Sequence, residues 1–125
     1  MTAFPPTPTQ IDPCSNIGIG PFWFGTQEIG TQIWNNNPVG IKIVGIHLKW
    51  PVENGNLIKV KLADNVLWSG IALPPEYWIT ALSGNREIPP LGSKGLSAYF
   101  NLIARFDGYL VEVHFDNDCI ISRSN

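Results

Sequence analysis

At 125 residues, 44% of them apolar, the chain is long enough for one domain with a real core and too hydrophobic for a disordered segment. Charged residues make up only 14% and the formal net charge is −2, so no basic stripe supports nucleic-acid binding by phosphate neutralisation. No apolar run reaches membrane-spanning length, so direct membrane insertion is not expected.

Residues 1–13 are rich in proline and contain Pro5-Pro6-Thr7-Pro8-Thr9. Proline removes backbone donors and favours an extended polyproline II spacer, so this stretch is expected to be a linker preceding a domain over 14–125. Met1-Thr2-Ala3-Phe4-Pro5 has neither the basic nor the apolar region of a signal peptide. An export signal, if used, is expected upstream in a longer protein.

From Cys14 onward the signals are those of β-structure: short apolar runs punctuated by Gly and Pro, with no helical stripe. Ile17 and Ile19 followed by Phe22-Trp23-Phe24 predict a first strand interrupted near Gly20-Pro21. Of these adjacent aromatics, either Trp23 or its flanking phenylalanines must face out or lie under the leader. Ile29, Thr31 and Ile33 predict the inward face of a second strand, which Asn35-Asn36-Asn37-Pro38 ends. Next, Val39, Ile41 and Ile43 alternate on odd positions, whereas Val44, Ile46, Leu48 and Trp50 alternate on even ones. A strand has a side-chain period of two, so this switch demands an extra residue: a β-bulge at Ile43-Val44, or a crossing between sheets. Gly45, His47 and Lys49 are then expected on a solvated face.

Asn54-Gly55, between two strong strands, predicts a hairpin turn. Ile58, Val60 and Leu62 are expected inward with Lys59 and Lys61 outward, and Ala63-Asp64-Asn65 is a second tight turn. Val66-Leu67-Trp68 is a short strand. Residues 70–85 fit either a short helix opened by Pro74-Pro75-Glu76 or an extended loop. The Pro-rich stretch Ile88–Leu91 fits an edge or a connection. Leu96, Ala98, Phe100 and Leu102 alternate, as do Tyr109, Val111, Val113 and Phe115 after a turn at Asp107-Gly108. Asp116-Asn117-Asp118 then turns the chain into a last strand at Cys119-Ile120-Ile121. About seven to nine short antiparallel strands at this spacing predict an all-β sandwich. The two cysteines, at either end of the domain, read as a staple between the first and last strands; two unrelated buried thiols are the alternative.

The succession Pro-Thr linker, Cys14-Ser15-Asn16-Ile17, Trp34-Asn35-Asn36-Asn37, Val44-x-Ile46-x-Leu48-x-Trp50-Pro51, Asn54-Gly55-x-Leu57, Leu67-Trp68-Ser69-Gly70 and Tyr109-x-Val111-x-Val113-x-Phe115-x-x-x-Cys119 resembles a group of uncharacterised Ig-like modules. These follow Pro-Thr-rich stalks in exported bacterial cell-surface proteins. The resemblance covers nearly all of residues 14–123. It implies an Ig-like or fibronectin-like sandwich, a Cys14–Cys119 disulfide, and an extracellular, cell-surface location. It carries no catalytic residues. Many modules of this group have Gly just before the last cysteine, where this chain has Asp118.

Residues able to carry chemistry are sparse. No Gly-x-Ser-x-Gly elbow, HExxH or P-loop occurs, and Gly18-Ile19-Gly20 is followed by Pro21 rather than a helix. His47 and His114 fall on predicted outward faces with no pattern that would join them to a third ligand or a nucleophile. Two cysteines and two distant histidines make a poor metal site. Asp116, Asn117 and Asp118 with Asp107 supply oxygen atoms but lack the spacing of a calcium loop. No enzymatic activity, cofactor or metal is expected. The aromatics are better candidates: Trp23, Tyr77 and Trp78 could stack on a ligand, with Asn35, Asn36 or Asn37 as hydrogen-bonding neighbours. The expected role is a non-catalytic structural or interaction module, with other surface proteins, neighbouring modules or glycans as partners. The alternatives are a carbohydrate-binding module using exposed aromatics, and a self-assembling filament or oligomer subunit pairing through an edge strand.

Overall fold

The computed structural model describes residues 12–125; the Pro5–Thr9 leader lies outside them. Ten strands run in chain order: β1 (Ile17–Phe24), β2 (Glu28–Asn35), β3 (Ile41–Lys49), β4 (Leu57–Leu62), β5 (Asn65–Ala72), β6 (Glu76–Ile79), β7 (Glu87–Ile88), β8 (Gly92–Phe100), β9 (Leu110–Phe115) and β10 (Ile120–Ser124). They form two antiparallel sheets that face each other as a β-sandwich. The first has the order β1-β2-β8-β4-β5; the second has the order β10-β9-β3-β6, with β7 pairing the start of β3. Adjacency of β1, β2 and β8 in one sheet and of β10, β9 and β3 in the other reproduces the central strand order of the immunoglobulin sandwich. The β4–β5 hairpin, β6 and β7 lie in the chain between its third strand and its fifth.

The period-two patterns land where expected. Ile29, Thr31 and Ile33 from β2, Leu96, Ala98 and Phe100 from β8, and Val111, Val113 and Phe115 from β9 are buried between the sheets, as is Tyr109 just before β9. In β1, pairing with β2 slips between Ile19 and Phe22, and the Thr31 hydroxyl donates to the Gly20 carbonyl (2.6 Å) to hold the irregularity. In β3, the register with β9 jumps from Ile43–Phe115 to Gly45–His114, so Val44 is the bulged residue. That extra residue lets Ile43 and Ile46 both reach the core.

Several expectations need correction. Asn54-Gly55 is not a hairpin turn, because β3 and β4 belong to different sheets. Val52–Asn54 forms one 3-10 turn, and Gly55, at φ +73°, carries the chain across the sandwich. The link is pinned by Trp50, whose indole N–H donates to the Gly55 carbonyl (2.9 Å). Pro74-Pro75-Glu76 opens no helix: Glu76–Ile79 pairs with the open edge of β3, and that ladder outweighs the local helix-start signal. With β7, this raises the strand count to ten. Ile58 is exposed and Leu57 buried instead, because β4 is irregular between Leu57 and Lys59. Val39 and Leu102 lie just outside β3 and β8 and are exposed, and so is the bulged Val44. Asp107 and Asp116 flank opposite ends of β9, so no common oxygen cluster forms. Asp116 accepts instead from the Lys42 amide, and Asn117 from the Cys119 amide.

Cys14 and Cys119 are bonded, with Cα atoms 4.9 Å apart. Each immediately precedes or closely precedes an edge strand, β1 of the first sheet and β10 of the second. The disulfide therefore joins the two sheets along one open side. Asp118 takes φ +70°, the left-handed conformation that glycine adopts at no steric cost.

The other end of the sandwich is organised by Tyr109. Its hydroxyl donates to the Arg105 carbonyl (2.7 Å), four residues upstream, in the manner of the tyrosine corner of immunoglobulin-like sandwiches. Its ring packs beside Phe22, Phe24 and Phe100. Burial raises the Tyr109 pKa above the ordinary 10.0, outweighing the opposing hydrogen bond accepted from Asn54. Tyr99 shifts the same way, through burial and the neighbouring Glu28 carboxylate. Below pH 10 the phenols are neutral in both folded and unfolded chains. As pH rises further the unfolded chain loses its protons first, so stability should decline from about pH 10 upward. Urea midpoints compared at pH 8 and pH 11 should show this fall, and Tyr109→Phe should flatten much of it. An equal decline in that variant would assign the alkaline sensitivity elsewhere.

Candidate functional site

The outer faces of the two sheets carry different aromatic groups. On the first sheet, Trp23 and Trp34 face away from the core because their neighbours Phe22, Phe24 and Ile33 face toward it. Each indole crosses to a glycine on the partner strand: Trp23 pairs with Gly30, and Trp34 with Gly18. A β-carbon at either glycine would lie only 2.1 Å from the ring. The Trp23 ring also reaches Gly95 on β8. Both rings thus rest on bare backbone, and they remain 40% and 37% exposed. Beside them on the same face stand Gln32, Ser93, Ser97 and Tyr99; the Gln32 amide donates to the Ser93 hydroxyl (3.0 Å). Lys59 and Lys61 follow on β4. The Lys59 ammonium sits 4.5 Å from the Tyr99 ring centroid, within cation–π range, and that of Lys61 at 6.0 Å.

On the second sheet, Trp78 of β6 stacks parallel on the His47 imidazole, with centroids 4.0 Å apart, and meets His114 edge-on at 5.5 Å. His47 bonds Glu76 and His114 bonds Glu112, each at 2.7 Å. His47 is therefore buried under Trp78 rather than solvated, which overturns the expectation for that face. The two histidines do share a neighbourhood, through β3–β6 and β3–β9 pairing that no local pattern announces. Among the described residues, no three His, Cys, Asp or Glu side chains are grouped to hold a metal ion.

The three aromatics singled out from sequence are thus separated. Trp23 lies on the outer face of the first sheet and Trp78 on that of the second. Tyr77, pairing with Leu48 at the edge of the sandwich, packs against Trp68. Asn35 is fully buried: its amide donates to the Val39 carbonyl (2.8 Å) and faces those of Ile88 and Pro89, so it cannot serve a ligand. Asn37 is engaged with Ser15 and Asn16, and only Asn36 is exposed without such bonds. Sequence reading missed Trp34, Tyr99 and the two lysines as neighbours of Trp23. A signal for them existed. Inward Ile33 requires outward Trp34, and glycines recurring at outward strand positions 18, 30 and 95 mark where a ring or ligand approaches backbone. The chain matches no protein-family model and no curated protein.

Proposed function

We propose that this domain is a non-catalytic interaction module of an exported bacterial surface or appendage protein, displayed on its Pro-Thr leader. The observation that carries this reading is a sandwich closed by a disulfide yet bearing exposed tryptophans on both outer faces. A cross-link between the terminal edges suits an oxidising compartment. Among the described residues no helix is long and apolar enough to cross a membrane. Exposed rings on rigid strands provide contact area at little entropic cost, the property expected of a module that contacts surfaces or neighbours. An antibody to the folded domain should label intact, unpermeabilised cells that make the parent protein, and material isolated from them should alkylate at Cys14 and Cys119 only after reduction. Labelling confined to permeabilised cells, together with free thiols in the native protein, would overturn the proposal.

A further inference from the structure

We infer that the outer face of the first sheet is a binding platform for an acidic polysaccharide, a chain of pyranose rings bearing carboxylates. This deepens the interaction-module reading and rests on it.

The first argument is the seating of the tryptophans. Glycine in a strand interior weakens the strand and lacks a side chain to pack. The outer face nonetheless has glycine at positions 18, 30 and 95, and at each an indole occupies or borders the space of the missing β-carbon. If the rings served only to cover backbone, a β-branched residue at each position would do so with better strand propensity. Glycine instead lets two large rings settle onto the sheet while a good part of each stays open to solvent.

The second argument is the arrangement. Trp34 projects from β2 over β1, Trp23 from β1 over β2 toward β8, and Tyr99 stands on β8 beside β4. The rings therefore step diagonally across the sheet. Trp34 covers Gly18 and borders Gly20 on β1, while Trp23 covers Gly30 and borders Gly95 on β8, so the two rings spread over three strands. A surface of that width suits an extended chain of sugar rings better than a single small molecule. Between the rings Gln32 offers an amide for sugar hydroxyls, and the face is unobstructed by any other strand among the described residues.

The third argument is charge. The track ends at Lys59 and Lys61, two cations on one strand, in a chain whose net charge is −2. Glu28, paired across from Tyr99 on β2, brings one carboxylate to this face against the two lysines. The local excess is positive, and it complements a carboxylate-bearing sugar chain.

Affinity electrophoresis of the full chain in gels containing polygalacturonate, with hydroxyethylcellulose as the uncharged comparison, tests this directly. Polygalacturonate should retard the wild-type chain and hydroxyethylcellulose should do so less. Trp23→Ala and Trp34→Ala should each weaken retardation by about three- to tenfold, the order of one lost aromatic contact. Lys59→Gln/Lys61→Gln should weaken it severalfold, remove the preference for the acidic polymer, and abolish most of its salt sensitivity. Trp78→Ala, on the other sheet, should leave it unchanged. Should either tryptophan variant fail to fold by circular dichroism, the surface lysine pair and Gln32→Ala carry the test. No retardation by polygalacturonate, retardation indifferent to the tryptophans and lysines, or an equal loss in Trp78→Ala would overturn the inference. Such a failure with cell-surface labelling intact defeats only the ligand assignment; failure of the labelling defeats the module reading beneath it.

Discussion

Replacing Cys14 and Cys119 together by alanine is expected to lower the unfolding free energy by roughly 3–5 kcal/mol, the largest effect of any conservative change in this domain. The bond spans 105 residues, close to the whole described chain, so its loss frees nearly all of the unfolded ensemble. Loop-closure entropy for that span amounts to about 4.7 kcal/mol. The folded state also loses the only side-chain cross-link between the sheets among the described residues: β1 and β10 are edge strands of different sheets and share no hydrogen-bonded ladder. In thermal unfolding the double variant should melt on the order of 10–20 °C lower. Its denaturant m-value should rise, because an uncrosslinked unfolded chain exposes more surface. Wild-type protein held in reductant should behave alike. A loss below about 1 kcal/mol would mean that the core alone holds the sheets together and that the bond constrains little.

Asn54→Ala is the second large expected effect, about 2–4 kcal/mol of destabilisation from a single short side chain. Asn54 is fully buried in the crossing between β3 and β4. Its amide donates to the Tyr109 hydroxyl (2.7 Å), and its carbonyl oxygen accepts from the Arg105 amide (3.0 Å). Tyr109 in turn donates to the Arg105 carbonyl, so three segments close one polar network. Alanine would strand the Arg105 N–H and the Tyr109 lone pair in a site with little water, and an unpaired buried group costs more than a net hydrogen bond gains. Tyr109→Phe should cost somewhat less, since the ring packing survives. Because both variants break the same Asn54–Tyr109 bond, the double variant should fall short of the sum by about 0.5–2 kcal/mol. Urea denaturation of the four proteins measures this. Full additivity, or an Asn54→Ala variant within about 0.5 kcal/mol of wild type, would show the network to be incidental.

These two sites differ in how far the sequence announces them. The cysteines are legible because only two exist and they bracket the strand pattern. Asn54 reads locally as half of a turn pair, and its importance comes from Tyr109 and Arg105, about fifty residues away along the chain. The candidate platform repeats this contrast. Trp23 is legible as an aromatic that cannot face inward with both its neighbours. Its seat on Gly30, its reach to Gly95 and the company of Trp34, Tyr99 and the lysines depend on which strands lie side by side and in what register.

The sequence by itself determined the all-β class, the inward faces of β2, β8 and β9, the switch of faces at Ile43-Val44 and the broken first strand. Each follows from the period of two along a strand, which is a local property of the backbone. Only the tertiary structure decided that Asn54-Gly55 crosses between sheets, that Glu76–Ile79 is a strand, that Trp78 buries His47, and that two indoles rest on partner-strand glycines. An alternating strand can pair with any edge that offers a matching face, and the choice among edges is made by contacts distant in sequence, which no local pattern contains.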